Sequence, residues 1–476
     1  MTEKSDRNSD SGRIRRRDYL AAAAAGAGSL VAGCAGGGGE EGGTATPGGE
    51  EGGTATPGGG TPATRERIPI ASFSPLSGAG SPFGPGMQAG FNIAVNDVNE
   101  AGGTAGRKIT PINRDSETKP SRAAAKLKAV ISNENIPAFV GTWSSGVAST
   151  LAPIAADNQV MQMGDGTTSP LLAKMAWRTV GGEEVKFMGR TSPNDAMQGI
   201  AIGNVLNEKL GVSSAAFMHV DNPYGAGLAR TAKQTFNGEA TATVGVAKQT
   251  SDYTSALDKA FKGNPEAFVL IVYPANGETI LKQWNRGGYG GKLVMSESMF
   301  VPELFNKLSS IVKGSFVTTI RPKKTNSWDY FQQAMKDRGV KVTTFSPHAY
   351  DALFLEALAI HKAGEATGPA IAKNILAPSR PPGEKVTAGP EGFEKAKSLI
   401  DDGKQINYEG ASSKCNLSCF REPYNRFAIN KLAADDPIKI QTEDTIPADF
   451  FKGKVYSENL VSKHCKGGSA TPPPPQ

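Results

Sequence analysis

Three hydroxyl side chains, Ser144, Ser145 and Thr168, stand in loops bounded by glycine, Gly141–Gly146 and Gly164–Pro170. Hydroxyls and free backbone N–H groups donate hydrogen bonds without a permanent charge, which suits them to hold a carboxylate. A zwitterionic solute would need such donors and, opposite them, acceptors for its ammonium. The serines also have a plainer use. They precede a helix expected from about Val147, and serine commonly caps such a start. The two uses are compatible, because a helix N-terminus itself favours a carboxylate. Phe83, Trp143, Tyr224 and Tyr273 fall in loops too, where rings could wall an apolar side chain or pack one part of the fold on another.

Catalytic chemistry is thinly represented. The histidines are His219, His348, His361 and His464, and no Gly-x-Ser-x-Gly elbow presents a hydrolase nucleophile. Gly78-Ala79-Gly80 with Gly84, and Gly141 with Gly146, match neither GxGxxG nor a P-loop, so no cofactor is implied and an enzyme is not expected. Cys415, Cys419, Cys465 and His464 could make a tetrahedral zinc site, but outside the cell a disulfide is the stronger expectation and no metal is assigned. The Cys415-x3-Cys419 spacing allows a local bridge, Cys465 could reach either partner, and one thiol is left over; the connectivity stays open.

These loops need a scaffold, and the chain between Ile68 and about residue 465 alternates short apolar runs with longer amphipathic ones. Strands are expected at Ile68–Phe73, Lys108–Arg114 and Ala138–Gly141, with helices Pro85–Ala101 and Lys119–Glu134 between them. After Ser192 the rhythm restarts: helix Met197–Leu210, strand Ala215–His219, helix Tyr224–Phe236, strand Ala240–Val246, helix Tyr253–Phe261, strand Ala267–Tyr273, helix Gly277–Gly287 and strand Lys292–Met295. A strand Ser315–Ile320 and helices Trp328–Asp337 and His348–Gly364 follow. This is an α/β chain with two doubly wound parallel-sheet lobes, whose ligand loops lie at the carboxyl ends of the strands. The expected division is 68–192 with 321–404 for the first lobe and 193–320 with 405–465 for the second. Three crossings near Ser192, Ile320 and Lys404 would form the hinge.

The ends read differently. Arg15-Arg16-Arg17 precedes an Ala/Gly-rich apolar stretch, Leu20 to Ala32, too short to span a bilayer and typical of a twin-arginine export signal. It closes on Val31-Ala32-Gly33-Cys34, which resembles a lipoprotein cleavage site with Cys34 as the lipidated residue. Residues 1–34 are therefore expected to be the signal, with the protein anchored by lipid on the extracytoplasmic face of the membrane. Residues 35–67 contain an exact tandem repeat, EEGGTATPGG at 40–49 and 50–59, and read as a flexible stalk with a reach of about 30 Å. Residues 466–476 read as an unfolded tail. The net charge of +6 is small for 476 residues, and six of the 52 Lys and Arg lie in the first 17 positions, so nucleic acid is not an expected partner.

Several motifs in order carry a resemblance. Ser77-Gly78 through Phe83-Gly84, Asn99-Glu100-Ala101-Gly102-Gly103, Gly106-Arg107-Lys108-Ile109, Gly141-Thr142-Trp143-Ser144-Ser145-Gly146-Val147-Ala148, Thr167-Thr168-Ser169-Pro170, Asp221-Asn222-Pro223-Tyr224-Gly225 and Tyr350-Asp351-Ala352 resemble the branched-chain amino-acid-binding proteins. These are type I solute-binding components of ABC importers. The resemblance spans about residues 68 to 455, leaving Gly181–Lys186 and the cysteine-bearing tail unmatched. It implies that Ser145 and Thr168 hold a ligand carboxylate, that the Gly166 carbonyl accepts from the ammonium, and that Glu297, or Ser298 if the register slips by one, faces it across a cleft. It also implies ABC permease subunits as partners, or a membrane signalling partner if the lobes serve a sensor for amides, urea or organic acids.

Overall fold

In the computed structural model the described residues are 67–247, 250–433 and 437–465. Cys34, the export signal, the repeat and the C-terminal tail lie outside them, with the expectations attached to them.

The apolar runs form two sheets and the amphipathic runs cover them. From edge to edge the first sheet is Lys108–Asp115, Arg67–Ser74, Ala138–Val140, Met161–Gly164 and Met188–Arg190, all parallel. The second begins with Glu239–Val246, Ser214–Val220, Ala267–Ile271, Lys292–Met295 and Phe316–Ile320, again parallel. Two antiparallel strands, Phe427–Leu432 and Ile440–Ile446, complete it. Ala267–Ile271, in the middle, is buried along its whole length, as a parallel strand with helices on both faces must be.

Proline opens many of the helices that follow these strands, at Pro85, Pro120, Pro223, Pro274 and Pro302. Its missing N–H costs nothing in a first helical turn and its φ is already helical. Each strand therefore hands over to a helix through a short loop, and those loops carry the candidate site. Helix Ser346–Ala363 returns to pack along Gly84–Glu100. At Gly90 the approach is so close that a Cβ would lie 2.2 Å from the Ser346 carbonyl oxygen, which leaves room for glycine alone. No helix among the described residues is long and apolar enough to cross a membrane.

Several features depart from the sequence-based expectation, the strands Met161–Gly164 and Met188–Arg190 of the first sheet among them. Trp177–Val180 and Glu183–Lys186 form an antiparallel hairpin where no element was expected. Gly181 and Gly182, at φ +60° and +83°, make its two-residue turn, a conformation that glycine takes without steric cost. The helix expected at Met197–Leu210 starts at Asp195, under an Asn194 side-chain cap, and ends as a π turn over Val205–Lys209. The chain passes between the sheets at Ser192 and after Ile320, but its third passage lies between Tyr408 and Phe427 rather than near Lys404. The reason is local. Ile406–Tyr408 pairs with Glu384–Val386. Beyond it, the buried Asp351 carboxylate of helix Ser346–Ala363 accepts from the Tyr408 hydroxyl at 2.7 Å, Ala411 N–H at 2.8 Å and Ser412 N–H at 2.7 Å. These bonds hold the segment on the first-sheet side.

Cys419 is bonded to Cys465, so neither a local Cys415–Cys419 bridge nor a zinc site forms. Cys415 stays out of any bridge, its buried thiol 3.3 Å from Asp351 Oδ2. The bridge seats helix Glu458–His464 against Phe420 and Trp177 and joins residues 46 positions apart. A cross-link over a loop of that length restricts the unfolded chain, so Cys419→Ser is expected to lower unfolding free energy by about 2–4 kcal/mol in urea melts. Identical melts for the variant and the oxidised wild type would contradict this.

Candidate functional site

The site is assembled from loops at the carboxyl ends of strands in both sheets. After Ala138–Val140 the loop brings Trp143, Ser144 and Ser145 to the start of helix Ser145–Asp157. Ser144 occupies the cap position, yet its side chain makes no cap bond; its hydroxyl meets the Tyr273 hydroxyl from the second sheet at 3.1 Å. Ser145 accepts from the backbone N–H groups of Thr168 and Ser169, both at 3.2 Å, which leaves its own proton to donate. Thr168 Oγ1 is buried and faces the Asp195 carboxyl group. Gly166 lies flat against Trp143, where a Cβ would come 2.8 Å from indole Cδ1.

From the second sheet, Tyr224 enters at the start of helix Pro223–Thr235, Tyr273 caps Pro274–Arg286, and Glu297 lies in a short turn after Lys292–Met295. The Tyr224 hydroxyl is shared by Ser296 at 2.9 Å, Ser298 at 2.8 Å and Glu297 Oε2 at 3.1 Å. Ser298 is turned back onto its own backbone, donating to the Val272 carbonyl at 2.8 Å. The Glu297 carboxyl is held within the same turn, accepting from the backbone N–H groups of Glu297 and Ser298 as well as from Gln198 and Tyr224. The rings form a continuous file: Phe83 stacks on Trp143 at 5.2 Å, Trp143 meets Tyr273 at 4.7 Å, and Tyr273 stacks on Tyr224 at 5.9 Å. Trp143 and Tyr273 thus make the contact between lobes, and the hydroxyl and carboxyl groups line its flank.

Charge is distributed unevenly here. Glu297 is 2 % exposed, and burial pushes its carboxyl up to about 7, against hydrogen bonds from Gln198 and Tyr224. Asp195 is raised as well, by burial first and by the neighbouring Glu297 second, against the Thr168 hydroxyl and the Arg190 charge. Burial likewise raises Asp165, next to Gly166, to about 7. Among the described residues no lysine or arginine pairs with any of these three. The nearby cation, Arg190, is already committed: its Nε donates to Glu422 Oε2 at 2.6 Å, and its Nη1 donates to the carbonyls of Thr167 and Ser169 at 3.0 and 2.9 Å.

Sequence reasoning did not single out Asn222, which donates to the Tyr273 hydroxyl at 2.8 Å, nor Gln198, Asp195 or the Arg190–Glu422 pair. A signal for them existed. Arg190, Thr191, Ser192, Asn194, Asp195 and Gln198 crowd into nine positions at the first passage between sheets, and all six are buried. A polar run that folding takes out of water must be fully occupied by partners or a ligand.

The periplasmic binding protein family model matches residues 67–377. The chemotactic signal transduction system substrate-binding protein BasB of Halobacterium salinarum is 28% identical over 391 residues, 81% of this chain and 91% of that protein. The leucine-binding protein LivK of Thermotoga maritima superposes with a TM-score of 0.66 at 22% identity, covering 80% of this chain and 99% of that one. A solute-binding protein of an ABC transporter from Rhodopseudomonas palustris, solved with p-hydroxybenzoic acid, reaches a TM-score of 0.62 at 15% identity over 80% of this chain and 97% of that one. With the two sheets, each built on five parallel strands, and the three passages between them, the match identifies the chain as a member of the periplasmic binding protein family of extracytoplasmic solute-binding proteins, built on the type I fold of the branched-chain amino-acid binders.

Proposed function

We propose that the chain captures a zwitterionic amino acid with an apolar, branched side chain between its lobes and delivers it, by hinge closure, to the permease subunits of an ABC importer. The observation that carries this reading is Glu297, a buried carboxylate without a cationic partner among the described residues, set against uncharged donors from the other sheet. Ser145 and Thr168, with the first N–H groups of helix Ser145–Asp157, would take the carboxylate; Glu297 and the Gly166 carbonyl would take the ammonium; Phe83, Tyr224 and Tyr273 would enclose the side chain, with Ser144 holding Tyr273 in place. A buried charge is tolerated only when paired, so closure is favourable once the ammonium is present. A simple aromatic acid would bring a carboxylate but no cation for Glu297. The signal ahead of Cys34 would direct export, and a lipid on Cys34 would hold the lobes beside the membrane.

A second destination has support of its own. The likeness to BasB extends over most of both chains, and BasB is named for chemotactic signalling, so the closed lobes could instead dock on a membrane receptor. Solute capture is common to both readings. Calorimetric titration with leucine, isoleucine, valine, p-hydroxybenzoate, urea and acetamide tests it. Binding of at least one of the three amino acids is expected, with Ser145→Ala weakening it by about tenfold while leaving the far-UV spectrum unchanged. Binding of p-hydroxybenzoate or urea with no heat from any amino acid would refute the assignment.

A further inference from the structure

A cavity of about 510 Å³ lies away from the candidate site, against two of the three passages between lobes. Arg321 and Lys323 follow the strand Phe316–Ile320, Lys414 and Arg426 belong to the third passage, and Lys452 comes from the segment after Ile440–Ile446. Five cations thus face a single wall carboxylate, Asp449, which pairs with Lys452 at 2.6 Å. Arg321 donates to Thr442 Oγ1. Lys323, Lys414 and Arg426 make no ion pair with any described residue. A concave wall of one sign focuses potential and concentrates counter-ions, while its own charges repel one another until something neutralises them.

The floor is the independent observation. Asn425, 2 % exposed, has no acceptor for its amide N–H and no donor for its carbonyl oxygen. The hydroxyl of Tyr424 and the Oδ1 of Asn416, which line the same cavity, are also buried without partners. Buried amides in folded proteins are almost always satisfied. An occupant of this cavity would therefore need negative charge for the rim and, once the Asn425, Tyr424 and Asn416 side chains turn outward from their present shielded positions to meet it, acceptor atoms for the Asn425 N–H and the Tyr424 hydroxyl and a proton to donate to Asn425 or Asn416 Oδ1.

We propose that this cavity is a binding site for inorganic phosphate, separate from the solute cleft. Monohydrogen phosphate combines multiple charge, several acceptor oxygens and one P–OH donor. Sulfate offers the charge and the acceptors without the donor, and a phospholipid diester likewise has no P–OH. The site does not depend on which solute the cleft takes. An occupant would touch both the second and the third passage and so bias the separation of the lobes.

The test is calorimetric titration of the full chain with inorganic phosphate at pH 7.5, with sodium chloride adjusted to hold ionic strength constant. A single saturable site is expected, at least tenfold tighter than sulfate. It should weaken by about tenfold or more in Lys323→Glu/Lys414→Glu, whose side chains are exposed and whose replacement leaves the core untouched. Lys414→Ala, a milder change, should weaken it to a lesser degree. Equal affinity for phosphate in the wild type and the double variant, sulfate binding as tightly as phosphate, or no saturable heat would each overturn the proposal. So would sedimentation of the wild type, but not the double variant, with phosphatidylglycerol vesicles in a manner that inorganic phosphate fails to compete, which would reassign the cavity to a membrane surface.

Discussion

Glu422→Gln is expected to unfold with about 3–5 kcal/mol less free energy than the wild type. Arg190 and Glu422 are 1 % and 2 % exposed in their side chains and 232 positions apart in sequence. The carboxylate also accepts from Asn194 Nδ2 at 2.8 Å and from the Tyr456 hydroxyl at 2.6 Å. Glutamine preserves the shape and leaves the guanidinium as an uncompensated charge in a dry site, and that residual charge dominates the cost. Urea denaturation monitored by circular dichroism measures it. The consequence reaches the site, because Arg190 Nη1 holds the carbonyls of Thr167 and Ser169, which flank Thr168. A loss below about 1 kcal/mol would mean that water reaches the guanidinium and that the pair behaves as a surface salt bridge.

Glu297→Gln should cost about 2–5 kcal/mol of solute binding, roughly thirtyfold to several thousandfold in Kd, with little change in folding. Glutamine can still accept from Tyr224, so the turn keeps its shape while the charge opposite an ammonium is lost. The pH dependence separates this from a general perturbation. In the empty, closed cleft the carboxyl is raised from 4.5 to about 7, so ionising it opposes closure increasingly as pH rises through that window. A bound ammonium reverses the sign by favouring the ionised form. Affinity of the wild type should then be full above about pH 7 and decline as pH falls toward 4.5, whereas Glu297→Gln should show a flat profile over the same range. A variant that binds as tightly as the wild type, or that keeps the slope, would remove Glu297 from the ammonium position.

How far the sequence carried can be judged on particular residues. The alternation of strand and helix from Ile68 to Gly141 and from Met197 to Met295 was legible because parallel strands buried on both faces are written as short unbroken apolar runs, and most expected boundaries there agree with the structure within two residues, whereas the short strands Met161–Gly164 and Met188–Arg190 were not expected. Irregular backbone was not legible. The Gly181-Gly182 hairpin has only four residues in each arm, and the third passage is placed by Asp351, a residue 60 positions before the first backbone group it captures. Long-range pairs are silent in a single chain: nothing near Arg190 indicates Glu422, and nothing near Cys419 prefers Cys465 to Cys415. Within the site, residue types pointed to hydroxyl donors and an acid, while the bond that turns Ser298 back onto the Val272 carbonyl is one that only the fold brings within reach.

The file of rings has an optical consequence. Of the four tryptophans, Trp143 alone is fully buried, at 4 % exposed, and it lies between Phe83 and Tyr273, one from each lobe. Trp177 sits by the disulfide, while Trp284 and Trp328 lie on helices Pro274–Arg286 and Asn326–Asp337. Any motion that parts the lobes strips one face of the Trp143 indole of its aromatic neighbour and admits water, while the other three keep their surroundings. The native chain therefore contains its own fluorescent gauge of lobe separation, readable without a label.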